Sequence, residues 1–142
     1  MTLSTLRELL VSSRVSGIPL QVSFHGGHLR EVIVRSVGGS WFSAQETGPS
    51  GSELVMSLRA VHSISGDIEA PETGDFASSA IPLRAMLVQL ERQRTEVVVH
   101  VPEGGFAGRI HSVGQDYLSV QKSDHTEVVI PMDNFLWLEA CG

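Results

Sequence analysis

The feature that most constrains this chain of 142 residues is an internal duplication. Three short patterns recur at nearly constant offsets of 77, 76 and 74 positions. The pattern Leu-Arg-x-x-Leu-Val begins at Leu6 and again at Leu83. The pattern Ser-Val-Gly-x-x-aromatic begins at Ser36 and at Ser112, and a segment that starts with valine begins at Val55 and at Val129. Such spacing predicts two copies of one structural unit, with a small length difference in a loop.

We predict a first unit over residues 1–65, an acidic linker over 66–81 and a second unit over 82–142, called unit 1 and unit 2 below. The linker holds four acidic residues, no basic residue, one proline and two glycines, and it has no sustained apolar period. A unit of about 60 residues is marginally stable by itself. We therefore expect the two units to pack on each other or on other chains.

Each unit shows the pattern of one helix followed by five short strands. In unit 1, Thr5-x-x-Glu8 is a capping box at the start of an amphipathic helix, and apolar residues alternate with polar ones from Leu20 to Phe24. In unit 2 we expect the helix to begin near Ser79, with Pro82 in its first turn. The predicted strands cover residues 20–25, 29–37, 41–45, 53–58 and 60–64, and then 96–101, 106–113, 117–122, 127–130 and 135–139.

Composition excludes several classes of protein. The net charge is −6, divided as +1 over residues 1–65, −4 over 66–82 and −3 over 83–142, so no strong basic field is present for non-specific nucleic-acid binding. The only cysteine is Cys141, which predicts a reducing, cytoplasmic compartment and no disulfide framework. Because no apolar run approaches the length of a membrane span and no secretory leader pattern opens the chain, secretion and membrane insertion are disfavoured.

The sequence places no residues at a spacing typical of catalysis or metal binding. His25-Gly-Gly-His28 puts two imidazoles on one hairpin, but no third ligand accompanies them, so we expect no metal. No Gly-x-Ser-x-Gly turn, paired carboxylates or glycine-rich loop before a helix is present, and we expect no enzyme activity, no cofactor and no small-molecule substrate. His100 and His111 form either a surface pair across two strands or a pH-sensitive interface.

The unit resembles the Sm-like family of small β-barrels, which includes the Sm and Hfq proteins. The resemblance rests on the short helix before five bent strands, on Gly108-x-Ile110, on Tyr117 at the start of the third strand and on the final segment from Val129 to Phe135. The whole chain is similar to uncharacterised actinobacterial proteins with two such repeats. The resemblance implies a mainly β fold of two tandem Sm-like small barrels, each a short N-terminal helix followed by five bent antiparallel strands.

The resemblance also implies which residues would form an RNA-binding site. The acidic and asparagine positions of RNA-binding Sm proteins fall on Gly114 and Leu118 here, and an acid, Asp133, stands in the loop where those proteins carry a basic residue. A surviving nucleotide pocket would therefore belong to unit 1, at Trp41, Arg59 and His62. In the alternative interpretation Trp41 packs in the core and Arg59 is a solvated charge.

Two functions from different classes follow. The first is a non-enzymatic assembly or protein-interaction module, whose short final strands pair with a sister unit, another copy or another protein. Its contact residues would be Val55, Leu58, Val129 and Phe135. The second is a single-stranded RNA-binding protein of the Sm type. The excess of acidic residues favours the first function.

Overall fold

A computed structural model describes residues 5–49, 51–66 and 81–141. Nearly all of the predicted linker, residues 67–80, lies outside the described residues, and so does Ser79, the predicted start of the second helix.

The described chain is mainly β, with the predicted order of one helix and five strands in each unit. The bounds agree with the predicted ones to within a few residues. Two short 3₁₀ turns, Leu58–Ala60 and Met132–Asn134, precede the last strand of each unit and were not predicted. The elements are α1 Leu6–Ser16, β1 Leu20–Phe24, β2 Leu29–Val37, β3 Trp41–Glu46, β4 Glu53–Ser57 and β5 Val61–Gly66, followed by α2 Leu83–Arg92, β6 Glu96–Val101, β7 Gly104–Val113, β8 Tyr117–Gln121, β9 Glu127–Pro131 and β10 Trp137–Cys141.

The two helices begin differently. The capping box at α1 is confirmed: Thr5 Oγ1 accepts a hydrogen bond from the Glu8 N–H at 3.2 Å, and the Glu8 carboxylate accepts one from the Thr5 N–H at 3.4 Å. Gly17, with φ of 69°, ends this helix in the left-handed conformation that glycine adopts most readily. At α2 the prediction for Pro82 was wrong, because this residue is extended and lies just before the helix rather than inside its first turn.

All ten strands belong to one antiparallel sheet, with the order β5-β1-β2-β3-β4-β10-β6-β7-β8-β9. The order within unit 1 is repeated within unit 2, as expected for a duplicated fold. Two barrels were expected from the sequence, whereas the described residues form a single open sheet. The two halves are continuous because β10 pairs with β6 on one side and with β4 on the other.

Matching side-chain contacts show that the duplication extends beyond the backbone. Arg7 Nε donates to the Gly38 carbonyl at 2.9 Å in unit 1, and Arg84 Nε donates to the Gly114 carbonyl at 3.2 Å in unit 2. Each contact fastens the helix to the turn between the second and third strands. Two pairs of hydroxyl groups on these strands are also equivalent: Ser36 with Ser43, and Ser112 with Ser119.

The repeated Gly-x-x-aromatic motif is explained by a close approach at that turn. The Gly38 N–H donates to the Trp41 carbonyl and the Gly114 N–H to the Tyr117 carbonyl, both at 2.8 Å. The aromatic ring then lies directly over the glycine, so that a Cβ on Gly38 would be 2.2 Å from Trp41 Nε1 and one on Gly114 would be 2.1 Å from the Tyr117 ring. With the rings in these positions, only glycine fits under them.

Candidate functional site

The junction between the units, defined as the pairing of β4 with β10, joins a fourth strand of one unit to a fifth strand of the other. Val55 lies opposite Leu138, and Met56 lies opposite Trp137. The Ser57 N–H adds a hydrogen bond of 3.0 Å to the carbonyl of residue 136. The chain therefore contains one complete example of the contact between units.

Side chains cross the junction in both directions. Trp41 and Val55 of unit 1 belong to the hydrophobic cluster of unit 2, together with Leu83, Leu87, Val97 and Leu138. Leu136 and Trp137 of unit 2 belong to the cluster of unit 1. Burial of apolar surface is the main favourable term in folding and association, so this exchange stabilises the arrangement of the two units.

Trp137 is the centre of the junction. Its ring is fully buried and stacks on Phe24 of unit 1 at 4.7 Å and on His100 of unit 2 at 4.3 Å between ring centroids. His28 meets the ring edge-on at 5.3 Å, and the Arg30 guanidinium carbon lies 5.1 Å from its centroid. Aromatic and cation–π contacts of this kind add to the stabilisation from burial alone. Side chains of both units thus converge on one indole.

His100 is the titratable group of the junction whose environment is most perturbed. Burial disfavours the imidazolium and is the main reason why the pKa of His100 lies below 6.5. Glu139 opposes this effect, since its carboxylate Oε1 is 3.2 Å from His100 Nε2, whereas Arg30 and His28 reinforce it. Despite the short distance, Nε2 makes no well-directed hydrogen bond among the described residues, which is consistent with burial outweighing the attraction.

This shift predicts a loss of stability on mild acidification. The unfolded chain binds a proton at His100 near pH 6.5, whereas the folded chain binds it only at lower pH. The stability that the neutral, buried imidazole contributes is therefore complete above pH 6.5 and is lost as the pH falls through the lowered pKa. The free energy of unfolding of the wild type should therefore fall more steeply over this range than that of His100→Gln. Urea unfolding across a pH series checks this, and equal slopes for both proteins would contradict it.

The sheet ends in two free edges, β5 and β9, which have no partner strand among the described residues. Residues that are buried at the junction have repeat counterparts that are exposed at these edges. Val55 is 8% exposed, whereas its counterpart Val129 on β9 is 59% exposed. Trp137 is buried, whereas its counterpart Ser63 on β5 is exposed. Each free edge is therefore the repeat equivalent of one of the two strands that pair at the junction.

An apolar cavity of about 210 Å³ lies beside β5 and is called the α1/β5 groove. Its apolar lining comes from the helix, the first strand and the last strand of unit 1, namely Leu6, Leu9, Leu10, Leu20, Val61 and Ile64. In unit 2 the counterparts of Leu6, Leu10, Leu20 and Ile64 belong to the same hydrophobic cluster as Trp41 and Val55; they are Leu83, Leu87, Val97 and Leu138. The groove is thus the counterpart of a site that is filled at the junction.

The residues proposed for nucleotide binding do not converge on one pocket. Trp41 is 2% exposed, and its Nε1 donates to the Ile81 carbonyl at 2.7 Å, so its ring has no free face for a base. Arg59 is exposed and lines a cavity of about 180 Å³ at the junction, which also contains Asp133. His62 is exposed and lies at the α1/β5 groove, with its ring 5.7 Å from that of His25.

The residues proposed as contacts do not lie together: some lie at the junction and one lies on a free edge. Val55 lies in the junction itself. Leu58 is half-buried in the first 3₁₀ turn, and Phe135 is buried just after the second and lines the junction cavity. Val129 lies on the free edge β9.

Trp137 was not predicted from the sequence, although one signal for its burial is present. Phe135-Leu-Trp-Leu138 is a continuous apolar run, which is typical of a strand buried on both faces, whereas the equivalent Val61-His-Ser-Ile64 is interrupted by polar residues. This contrast distinguishes the central strand β10 from the edge strand β5. The proposed surface pair of His100 and His111 was wrong, since the residue opposite His100 on β7 is Gly105.

In the described part of the chain, no three His, Cys, Asp or Glu side chains cluster as metal ligands would. Neither α1 nor α2 has the length and apolar character needed to cross a bilayer. No family model matches this chain, and no curated protein or solved structure is significantly similar to it.

Proposed function

We propose that this protein is a non-enzymatic assembly module, built from duplicated Sm-like units, that joins protein chains by strand pairing at its two free edges. The observation that carries the proposal is the junction, where a fourth and a fifth strand of different units pair and bury side chains in both directions. The free edges consist of the remaining fifth strand and the remaining fourth strand.

The exposed surface at these edges supports the proposal. An unpaired strand presents free N–H and C=O groups, and proteins that do not use such an edge block it with charged side chains or cover it. Strand β5 carries no acidic residue, lysine, arginine or proline, and β9 carries only Glu127 and, at its last position, Pro131. Beside the two edges, Leu6 is 41% exposed and Tyr117 is 38% exposed. Apolar side chains beside an open edge are typical of an interaction surface.

The proposal predicts self-association of the purified protein. Light scattering should give a mass above the 15.3 kDa of one chain, and the mass should fall on dilution. Val129→Asp places a charge on the free edge and should lower the mass, whereas Val15→Asp, at a position on α1 that is 79% exposed and outside the groove, should not. A single-chain mass at every concentration would contradict the proposal, and submicromolar binding of oligo-U by such a monomer would favour RNA binding instead.

A further inference from the structure

Unit 2 has an extended polar groove away from the junction. Three adjoining cavities, of about 360, 450 and 610 Å³, lie along α2, β7 and β8. Arg109 and Gln121 line both the first and the second cavity, and Glu91 and Arg94 line both the first and the third. Because they share these residues, the cavities form one continuous surface, called the basic groove below.

The basic groove collects the positive charge of unit 2. All five lysine and arginine residues of this unit line it, together with only two of the eight acidic residues, Glu91 and Glu96. The five are Arg84, Arg92, Arg94, Arg109 and Lys122. A unit with more acidic than basic residues therefore presents one surface on which the basic residues are in excess.

Two side chains of the basic groove are carried by a backbone conformation that favours glycine. Arg94 and His125 have φ of 53° and 68°, and in the described part of the chain they are the only non-glycine residues with positive φ. Their repeat counterparts in unit 1 are Gly17 and Gly51, with φ of 69° and 55°. A residue with a Cβ is uncommon in this left-handed region and costs stability there. Such residues cluster at functional sites, which points to a use for these two side chains.

Most of the bases in the groove have no basic counterpart in unit 1. The residues at the positions equivalent to Arg92, Arg94, Arg109, Lys122 and His125 are Val15, Gly17, Ile33, Glu46 and Gly51. Arg84 is the exception, since it and its counterpart Arg7 each fasten a helix to a turn. The fold that the two units share therefore does not require a basic residue at the other positions.

Several of these cations are available to a ligand. Arg92 and Arg94 are exposed and form no ion pair with the described residues. Arg109 Nε donates to the Glu96 carboxylate at 3.3 Å, but both side chains are more than half exposed. An exposed ion pair contributes little to stability, so Arg109 can exchange this partner for a carboxylate of a ligand.

The lining of the groove favours one class of ligand. Its length fits an extended chain better than a compact metabolite. Among the described residues no Trp, Tyr or Phe lines it, so it lacks the rings on which the bases of single-stranded RNA stack. Glu91 and Glu96 would repel the regularly spaced charges of a phosphate backbone, whereas a peptide can place neutral residues beside them. Arginine binds carboxylates through paired hydrogen bonds.

We propose that the basic groove binds an extended acidic segment of a partner protein, whose carboxylates are held by Arg94, Arg109 and Lys122. This surface is separate from the two free edges, because no residue of β5 or β9 lines it. The inference goes beyond the proposed function and does not depend on strand pairing. Light scattering tests the pairing at the edges, and peptide binding tests the groove, so either proposal can fail alone.

The test measures binding of a fluorescein-labelled peptide of alternating glutamate and serine to the full-length protein, by fluorescence anisotropy at low salt. Arg94→Gly/His125→Gly gives unit 2 the glycines of unit 1. Its stability in urea should be nearly that of the wild type, because relief of strain offsets the greater freedom of glycine in the unfolded chain. Its affinity for the peptide should fall about 2–5-fold, as for the loss of an exposed ion pair.

A second variant removes more charge without relying on the left-handed positions alone. Arg94→Gly/Arg109→Gln/Lys122→Gln should weaken binding of the acidic peptide at least about tenfold, since several ion pairs are lost. The control Arg35→Gln removes one charge from β2 of unit 1. It should leave the affinity unchanged, because exposed charges are screened beyond about 10 Å. A peptide with glutamine in place of glutamate should not bind.

Four outcomes would overturn this inference. The first is no saturable binding of the acidic peptide, and the second is an equal loss of affinity in Arg35→Gln. The third is a glycine variant that is less stable but binds normally, which would give Arg94 and His125 a role in the fold only. The fourth is tighter binding of oligo-U than of the peptide, which would assign the groove to nucleic acid.

The acidic linker of the chain itself is tested as a competing occupant. Its four acids are changed to amides in Asp67→Asn/Glu69→Gln/Glu72→Gln/Asp75→Asn. This variant should bind the acidic peptide with the affinity of the wild type. Clearly tighter binding would show that the linker, and not a partner protein, occupies the groove.

Discussion

Replacing Trp137 with alanine should lower the free energy of unfolding by about 3–5 kcal/mol, the range measured for large aromatic side chains removed from a core. The ring is fully buried, and it contacts Phe24 in unit 1 and His100 in unit 2, so its removal leaves a cavity shared by both halves. Urea unfolding followed by fluorescence of the remaining tryptophan, Trp41, measures the change. If the free energy of unfolding fell by less than about 1 kcal/mol, as for an ordinary surface substitution, Trp137 would not be a main packing contact between the two units.

Trp137→Phe is the matched control for this prediction. It retains an aromatic ring for the stacks on Phe24 and His100 and removes the indole Nε1, a buried donor with no hydrogen-bond partner among the described residues. A buried unpaired donor is itself costly, which offsets part of the lost packing. We expect a clearly smaller loss of stability than for Trp137→Ala. Equal losses for both variants would show that stacking has no part in joining the units.

Replacing Gly38 with alanine should lower the free energy of unfolding by about 1–3 kcal/mol, as expected for overpacking a buried site. The new methyl group would lie 2.2 Å from Trp41 Nε1, and the Trp41 ring cannot withdraw because it is buried in the cluster of unit 2. The neighbouring Gly39 is the control, since no atom lies within 4 Å of a Cβ there. Gly39→Ala should be neutral or should stabilise by up to about 1 kcal/mol, because it restricts the unfolded chain.

The equivalent substitution in unit 2 gives a comparison within the same molecule. Gly114→Ala meets the Tyr117 ring at 2.1 Å, but that ring is 38% exposed and can move toward solvent. We expect a smaller loss of stability than for Gly38→Ala, together with weaker self-association because Tyr117 is displaced. If Gly114→Ala destabilises the chain as much as Gly38→Ala, the Tyr117 ring is held in place more firmly than its exposure indicates.

The order of elements could be predicted because its signals are local. The Thr5-x-x-Glu8 capping box, the alternation from Leu20 to Phe24 and the Gly-x-x-aromatic turn each depend on neighbours within a few residues. The Gly-x-x-aromatic turn occurs in both units and so gave independent support to the same assignment. The two 3₁₀ turns escaped prediction because no strong propensity marks such short segments.

The junction was less accessible to sequence reasoning, since it depends on which strands meet across the two units. A fourth and a fifth strand were expected to form contacts, but Val55 and Val129 looked equivalent in sequence while the structure buries one and exposes the other. Two interpretations were open for Trp41, stacking on a base or packing in the core, and the structure buries it between the units. In both cases the outcome depends on tertiary packing rather than on the residue and its neighbours in sequence.

Disulfide trapping tests most directly whether the free edges join two copies as β4 and β10 join the two units. Val129 and Ile64 correspond by the repeat to Val55 and Leu138, which lie opposite each other at the junction. In a Cys141→Ser background, Ile64→Cys and Val129→Cys are made in separate chains and mixed under mild oxidation. Residues directly opposite on paired strands have Cβ atoms about 4.5–5.5 Å apart, close enough for a disulfide after a small adjustment. We expect a covalent heterodimer from this pair and none from Ile64→Cys mixed with Val15→Cys. Efficient assembly without cross-linking of the first pair, or equal cross-linking of both pairs, would contradict it.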